Sequence, residues 1–287
     1  MSMQIQWYPG HMTRAIRAMR EDIALIDLII ELVDARVPLS GRNPDIDRLG
    51  NGKARLLLFS KSDLADAEEN RNWEAYYREK GLTAVFLDTR KNTGLHTIKN
   101  AVEEACAAKR ERDRKRGIKN RPVRAMVVGI PNVGKSTFIN SYAKKNVAKT
   151  GNKPGVTKGK QWIRMGEGLE LLDTPGILWP KFEDKAVGLN LAMIGSINDE
   201  ILPAEELALE MIAFLKTEYP GRLAQRYEIR EEAENPYILE EIGKRRGALQ
   251  KGGIVDAGKS AKIVIDEFRS GILGKLTLEK CIRIDQS

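Results

Sequence analysis

An eight-residue stretch near the middle of the chain has the composition of a phosphate-binding loop, Gly129-Ile130-Pro131-Asn132-Val133-Gly134-Lys135-Ser136. The apolar residues 125–128 before it predict a strand, and Thr137 begins a segment that can continue as a helix. In a loop between a strand and a helix N-terminus, backbone N–H groups surround phosphate oxygens. Lys135 would contact the β- and γ-phosphates, and the Ser136 hydroxyl would hold Mg²⁺. The stretch therefore predicts a nucleoside triphosphate site formed by Asn132, Val133, Gly134, Lys135, Ser136 and Thr137; a glycine-rich turn without a ligand is the alternative.

Two later segments can complete the phosphate end of this site. Asp173-Thr174-Pro175-Gly176 follows the apolar residues 169–172, which predict another strand. An acid at a strand end can hold Mg²⁺ through water, and the backbone N–H of Gly176 can reach the γ-phosphate. Thr157, in the polar loop 153–157, is the candidate for a second Mg²⁺ ligand that is ordered only while the γ-phosphate is present.

The base is predicted to contact an upstream segment, Ser60-Lys61-Ser62-Asp63, which follows a short apolar run. A single carboxylate at Asp63 can accept hydrogen bonds from both the N1–H and the 2-amino group of guanine, a pair of donors that adenine lacks. The alkyl stem of Lys61 can lie across the base. An ordinary surface turn is the alternative, because serine, lysine and aspartate are common turn residues.

The composition is that of a soluble globular protein, with 42% hydrophobic and 31% charged residues among 287. The net charge of +8 favours a polyanionic partner, although a merely basic soluble protein also fits. Cys106 and Cys281 lie far apart, which predicts neither a disulfide framework nor a zinc site and suits the reducing cytoplasm. The longest apolar stretch, 23–33, contains Asp27 and Glu31, so we expect neither a membrane span nor a membrane partner.

Apolar periodicity predicts an α/β fold, a mostly parallel sheet with helices on both faces, followed by a small all-α domain. We expect strands at 28–33, 55–59, 84–87, 125–128 and 169–172, and helices at 11–26, 67–80, 95–108, 186–197, 204–217, 235–244 and 257–270. The basic run 109–124 is too polar to bury itself and predicts a linker, an exposed helix end or both. The expected domains are 1–183 and 184–287.

Together these motifs resemble the G1 to G4 motifs of translation-factor-class GTPases, with Asp88-Thr89-Arg90 in place of the weaker G5 loop. The base-reading motifs come first and the phosphate-reading motifs second, which indicates a circularly permuted domain. With three further segments, the chain resembles the ribosome biogenesis GTPase A family (RbgA/YlqF) over nearly its whole length. Those segments are Trp7-Tyr8-Pro9-Gly10-His11-Met12, Asp34-Ala35-Arg36-Val37-Pro38 and Leu178-Trp179-Pro180-Lys181-Phe182.

The resemblance implies a cytoplasmic, monomeric, Mg²⁺-dependent GTPase that binds the immature large (50S) ribosomal subunit. It would contact rRNA and ribosomal proteins, and GTP hydrolysis to GDP would drive late maturation and its own release. We expect rRNA contacts from the helical domain and from the basic run. The resemblance also implies guanine-nucleotide contacts from Ser60, Lys61, Ser62, Asp63, Asp88, Thr89 and Arg90.

Four positions qualify this interpretation. The family has asparagine where Ser60 stands, so nucleotide affinity is expected to be lower. Ile177 occupies the position at which many small GTPases carry a water-orienting glutamine. The resemblance suggests His11 as the catalytic group instead, with a structural hydrogen bond as its alternative. Asn132 can contribute to an activating K⁺ site or serve turn geometry alone.

Two other classes of function remain open on the sequence alone. One is an RNA-binding protein whose nucleotide is structural and which has no significant catalysis. The other is a metabolic P-loop ATPase or kinase that acts on a small molecule.

Overall fold

The structure, a computed structural model, describes residues 19–88, 94–118, 121–143, 162–165, 168–173 and 184–281. These residues form two compact units. The larger contains the described residues up to 173 together with 279–281, and the smaller contains 184–278. None of the described helices is both long and apolar enough to cross a membrane.

The larger unit contains a six-stranded sheet with the order β3-β2-β1-β4-β6-β5. Its strands are β1 (Leu28–Asp34), β2 (Ala54–Ser60), β3 (Thr83–Phe86), β4 (Val123–Gly129), β5 (Trp162–Arg164) and β6 (Leu169–Asp173). All neighbouring strands are parallel except β5 and β6, which are antiparallel. All five predicted strands are confirmed, and β5 was not predicted.

Five helices of the larger unit are α1 (Pro44–Leu49), α2 (Ala67–Glu79), α3 (Ile98–Ala105), α4 (Ala107–Lys115) and α5 (Lys135–Ala143). The single helix predicted at 95–108 is wrong in detail: a 3₁₀ turn covers Leu95–Thr97, and the chain breaks again at Cys106. The basic run is an exposed helix end up to Lys115 and then a connection that enters β4 at Val123, so the expectation of a helix end together with a linker is confirmed. Of the predicted helix 11–26, residues 19–22 are helical and Ile23–Leu25 form a 3₁₀ turn; residues 11–18 lie outside the described part.

The central strand β1 is buried along its whole length, as expected for a parallel sheet that is covered on both faces. One apolar cluster joins it to β4 and α1, with Ile29, Ile46, Met126 and Val128 among its members. A second joins β1 and β2 to α2 through Val33, Leu57, Phe59, Trp73 and Tyr77. Two carboxylates of β1, Glu31 and Asp34, are also buried and are paired with cations.

The smaller unit is all-helical over its described residues, with α6 (Lys185–Met193), α7 (Ala204–Glu218), α8 (Arg222–Tyr227), α9 (Asn235–Arg246) and α10 (Ala257–Ser270). Asp184 and Asp256 cap α6 and α10 by accepting backbone N–H bonds. Met211, Ile212, Ile242, Val264 and Phe268 are buried in its core. Four of these helices match the predicted ones, and the short helix α8 was not predicted.

After the smaller unit, residues 279–281 pack against the larger one. The Glu279 carboxylate accepts backbone N–H bonds from Leu39 (2.6 Å) and Ser40 (2.9 Å) and bonds the Ser40 hydroxyl. The Trp73 indole Nε1 donates to the Glu279 carbonyl at 3.0 Å. Glu279 therefore supplies the acceptors for the loop that follows β1.

Replacing Glu279 with alanine should destabilise the larger unit by about 1–3 kcal/mol, because two backbone N–H groups would lose their acceptor. Urea unfolding followed by tryptophan fluorescence can measure this loss, since none of the four tryptophans lies in residues 184–278. Glu240→Ala, which removes an exposed ion pair with Lys244 on α9, should leave this transition unchanged. An unchanged midpoint for Glu279→Ala would contradict the role assigned to Glu279.

Candidate functional site

The parallel register brings the predicted motifs to one edge of the sheet. Asp34 at the end of β1 is paired with Ser60 at the end of β2, and Leu32 is paired with Gly129 at the end of β4. Val127 of β4 is paired with Asp173 at the end of β6. Ligands of open α/β sheets bind at this carboxyl edge. Motifs far apart in the chain therefore meet at one site.

The predicted phosphate loop connects β4 directly to α5. Asn132 and Gly134 have left-handed backbone conformations, with φ of 59° and 98°, and α5 begins at Lys135. Alternation of this kind turns backbone N–H groups towards an anion, and the α5 N-terminus adds partial positive charge. Ser136 is half-buried and Thr137 is exposed at the start of α5.

Gly129 is required by the close approach of β1. A Cβ atom at this position would lie 2.7 Å from the carbonyl oxygen of Leu32. That oxygen belongs to the backbone of the central strand and cannot move aside without disturbing the sheet. Only glycine therefore allows the phosphate loop to leave β4 at this point.

Ser60 connects the base-reading segment to the phosphate loop. Its buried hydroxyl lies 2.6 Å from the carbonyl oxygen of Val133 and 3.2 Å from that of Val33. A hydroxyl has one proton, and the shorter contact identifies Val133 as its main acceptor. The serine that replaces the family's asparagine thus still holds the phosphate loop.

Lys61 makes a second connection beside the first. Its Nζ donates to the carbonyl oxygen of Asn132 at 3.0 Å and to Asp34 Oδ2 at 2.9 Å. Lys61 itself has a left-handed backbone, with φ of 56°. Two consecutive carbonyls of the phosphate loop therefore accept hydrogen bonds from the base-reading segment.

Asp34 is fully buried and is held by Arg36 as well as Lys61. Arg36 donates from Nε at 2.9 Å, from Nη2 at 2.8 Å and from its backbone N at 3.1 Å. Burial alone would raise the pKa of Asp34, but the attraction of Arg36 and Lys61 outweighs it. The pKa therefore lies well below its usual range, and the carboxylate stays charged.

Ser62 and Asp63, which are also predicted to read the base, lie in a turn that is held by two hydrogen bonds to the backbone of Ser62. The backbone N of Ser62 donates to Leu87 O at 3.1 Å, and the Asn70 amide donates to Ser62 O at 3.2 Å. Asp63 is half-buried, and Asp88, which follows β3, is buried. The structure brings Ser60, Lys61 and the phosphate loop into contact.

Five predicted site residues lie outside the described residues: His11, Thr89, Arg90, Thr157 and Gly176. For Asp173 only the backbone is described, and it ends β6 at the expected edge. The roles of these six residues, like the nucleotide contacts assigned to the described ones, remain predictions.

Sequence reasoning gave no role to Asp34 and Arg36, although it noted their motif. The available signal was an acid and an arginine directly after a strand and before Pro38, where burial would require them to pair.

Comparisons with known proteins identify related GTPases. A family model described as "50S ribosome-binding GTPase" matches residues 124–239. The match begins in β4, immediately before the phosphate loop, as expected if the base-reading motif has moved upstream.

Relatives that match over nearly the whole chain are also named as ribosome-related GTPases. A Bacillus cereus protein named "Ribosome biogenesis GTPase A" is 48% identical over 96% of this chain and 94% of that protein. A Priestia megaterium protein of the same name is 47% identical over 96% and 97%. The mouse "Mitochondrial ribosome-associated GTPase 1" is 31% identical over 96% and 90%.

Two solved structures of YlqF have the same fold. The Thermotoga maritima protein bound to GNP gives a TM-score of 0.69 over 93% of this chain and 98% of that chain. A GDP-bound YlqF structure gives 0.68 over 92% and 99%. Both are 22% identical in sequence and support the permuted fold alone.

Ser60→Ala should raise the Kd for GDP about tenfold, because the Val133 carbonyl would lose a buried donor. Titration with a fluorescent GDP analogue measures this change. Ser270→Ala, which removes a comparable hydroxyl-to-carbonyl bond in α10, should leave GDP binding unaltered. If Ser60→Ala bound GDP as the unaltered chain does, the hydroxyl would have no part in holding the loop.

Proposed function

The chain belongs to the ribosome biogenesis GTPase A family, and on this premise we propose how its residues bind and hydrolyse GTP and which particle it acts on. GTP would lie at the carboxyl edge of the sheet, with its base at Asp63 and its phosphates at 129–136. The observation that carries this assignment is the pair of bonds from Ser60 and Lys61 to the carbonyls of Val133 and Asn132. They join a base-reading segment to a phosphate-reading one.

Mg²⁺ fits the donors that this site offers. The Ser136 hydroxyl and the Asp173 carboxylate, acting through water, are hard oxygen ligands, and the rest of the coordination would come from Thr157, phosphate and water. Ser136 follows the first residue of α5, and Asp173 ends the neighbouring strand β6. Bound there, Mg²⁺ would neutralise charge on the phosphates. K⁺ activation through Asn132 belongs to the same proposal, with turn geometry as the alternative role, which the left-handed backbone of Asn132 also suits.

The attacking water needs a polar group to orient it. The side chain of Ile177 has no polar atom for this task, and the resemblance to the family suggests His11 instead. A structural hydrogen bond is the alternative role for His11. Its substitution separates the two roles, because a structural histidine would affect stability rather than turnover.

The particle proposed as partner is the immature large ribosomal subunit. Exposed cations lie on both units: Arg112, Arg114, Lys115 and Arg116 at the end of α4, and Lys244, Arg245 and Arg246 in the last turn of α9 with Lys251 after it. Such surfaces attract the phosphates of rRNA and make binding salt-dependent. GTP would order the loop containing Thr157 and favour binding, and hydrolysis would promote release. We also propose that the chain acts as a monomer in the cytoplasm.

GTP turnover measured with and without large-subunit precursor particles tests this function. We expect strong stimulation by the particles, its loss in His11→Ala, and retained GTP binding in that variant. Stimulated turnover that survived His11→Ala would contradict the catalytic assignment. Particle binding with no turnover, even with K⁺ present, would instead indicate a plain RNA-binding protein, and preference for ATP a metabolic P-loop enzyme.

Asp63→Asn should weaken GTP binding about 100-fold, because one carboxylate would no longer accept two hydrogen bonds from the base. The amide donor introduced there should favour xanthine, which has a carbonyl in place of the 2-amino group. Competition between GTP, ATP and XTP measures the preference.

The matched control is Asp66→Asn, three residues further along the chain. Asp66 caps α2 by accepting from the backbone N of Glu68 and Glu69, and asparagine caps as well as aspartate. This variant should keep GTP preference. Retained GTP preference in Asp63→Asn would exclude Asp63 as the base-reading residue.

A further inference from the structure

Two residues with left-handed backbones, Lys61 and Asn132, are joined by a hydrogen bond beside the proposed nucleotide site. Among the described residues, the non-glycine residues with positive φ are Lys61, Asn132 and Glu228. The first two are joined by the bond from Lys61 Nζ to Asn132 O. A left-handed backbone is unfavourable for lysine and persists only where the surroundings fix it, whereas asparagine adopts this conformation more readily.

The surroundings that fix Lys61 come from β1. Asp34 has no exposed side-chain surface, and the Lys61 side chain is 23% exposed. Asp34 Oδ2 accepts from both Lys61 Nζ and Arg36 Nη2, while Oδ1 accepts from the backbone N and Nε of Arg36. Arg36 thus orients the carboxylate, and the carboxylate orients the ammonium group that holds the phosphate loop.

We propose that Asp34 is a positioning residue of the nucleotide site, which sets guanine-nucleotide affinity through Lys61 without touching the nucleotide. The turn Asp34-Ala35-Arg36 holds the Lys61 ammonium against the Asn132 carbonyl. This contact keeps the phosphate loop open for phosphate and keeps the lysine stem in place for the base. The inference rests on the proposed binding of guanine nucleotides at this edge.

Asp34→Asn tests this directly. An asparagine has only one side-chain oxygen, so its amide nitrogen would face either Arg36 or Lys61 with a second donor. We expect the Kd for GDP and the KM for GTP to rise about tenfold together, because both nucleotides use the same loop. Turnover at saturating GTP should stay within about threefold, since the lost interaction is equally present before and during the reaction.

Glu31→Gln is the matched control. Glu31 lies on the same strand, is also buried, and accepts from Arg55 at 2.8 Å and from Arg42 at 3.3 Å. Three residues before Asp34, it is on the opposite face of the sheet. Its substitution should lower the unfolding midpoint as Asp34→Asn does while leaving GDP affinity unchanged. Equal losses of affinity in the two variants would overturn the proposal, because the effect would then be general destabilisation.

A double-mutant cycle with Lys61→Met tests whether Asp34 affects GDP affinity through Lys61. Methionine keeps an apolar stem and removes the ammonium group, so Lys61→Met should raise the Kd for GDP by itself. Asp34→Asn should then add little in the Lys61→Met background. Multiplicative losses would show that Asp34 acts independently of Lys61 and would overturn the inference. If Asp34→Asn does not fold, Arg36→Lys takes its place in the cycle, because it removes the two-point contact that orients the Asp34 carboxylate. Its effect on the Kd for GDP should likewise vanish in the Lys61→Met background, and an equal effect in both backgrounds refutes the proposed route.

The unaltered chain separates this inference from the function it rests on. If it binds no labelled GDP, the proposed function is wrong and the inference falls with it. If it binds GDP and Asp34→Asn binds GDP equally well, the inference alone is wrong.

Discussion

Parallel pairing of β1 with both β2 and β4 is the constraint on which the nucleotide site depends. It places the ends of three strands in one row, with Asp34 beside Ser60 and Gly129 beside Leu32. A slip of one residue would turn every side chain of a strand to the opposite face. Asp34 would then lose Lys61, and the buried apolar residues of β1 would move out of the core. The same packing that stabilises the sheet therefore fixes the register of the site.

This constraint also explains why the unusual motif order is tolerated. A sheet positions its strand ends by pairing, so the order in which the chain visits them has no effect on the edge where they meet. β1 lies between β2 and β4 and connects the base-reading motif to the phosphate-reading one. Glu279 accepts hydrogen bonds from the loop that follows β1, so a residue near the end of the described chain supports the same edge.

The sequence predicted the elements whose hydrophobic pattern is strong and missed those that depend on tertiary context. All five predicted apolar runs proved to be strands, whereas the three-residue β5 is too short to leave a pattern. The predicted helix 95–108 breaks at Cys106, a position that periodicity did not distinguish. Motif chemistry identified Ser60 and Lys61 as site residues. Their partners in the phosphate loop are the backbone carbonyls of Val133 and Asn132, and no side-chain pattern specifies a backbone acceptor.

Because position 60 is serine, the ion pair between Lys61 and Asp34 contributes more to holding the phosphate loop. An asparagine amide has two donor hydrogens and an acceptor, whereas the Ser60 hydroxyl has one proton, directed mainly to Val133. The adjacent carbonyl of Asn132 is held by Lys61. A lysine stem is flexible, and fixing it costs conformational entropy that a single neutral acceptor does not offset. The charged, fully buried Asp34 supplies the stronger, charge-assisted bond. In this chain, the rigidity of the phosphate loop thus depends on a carboxylate of the neighbouring strand.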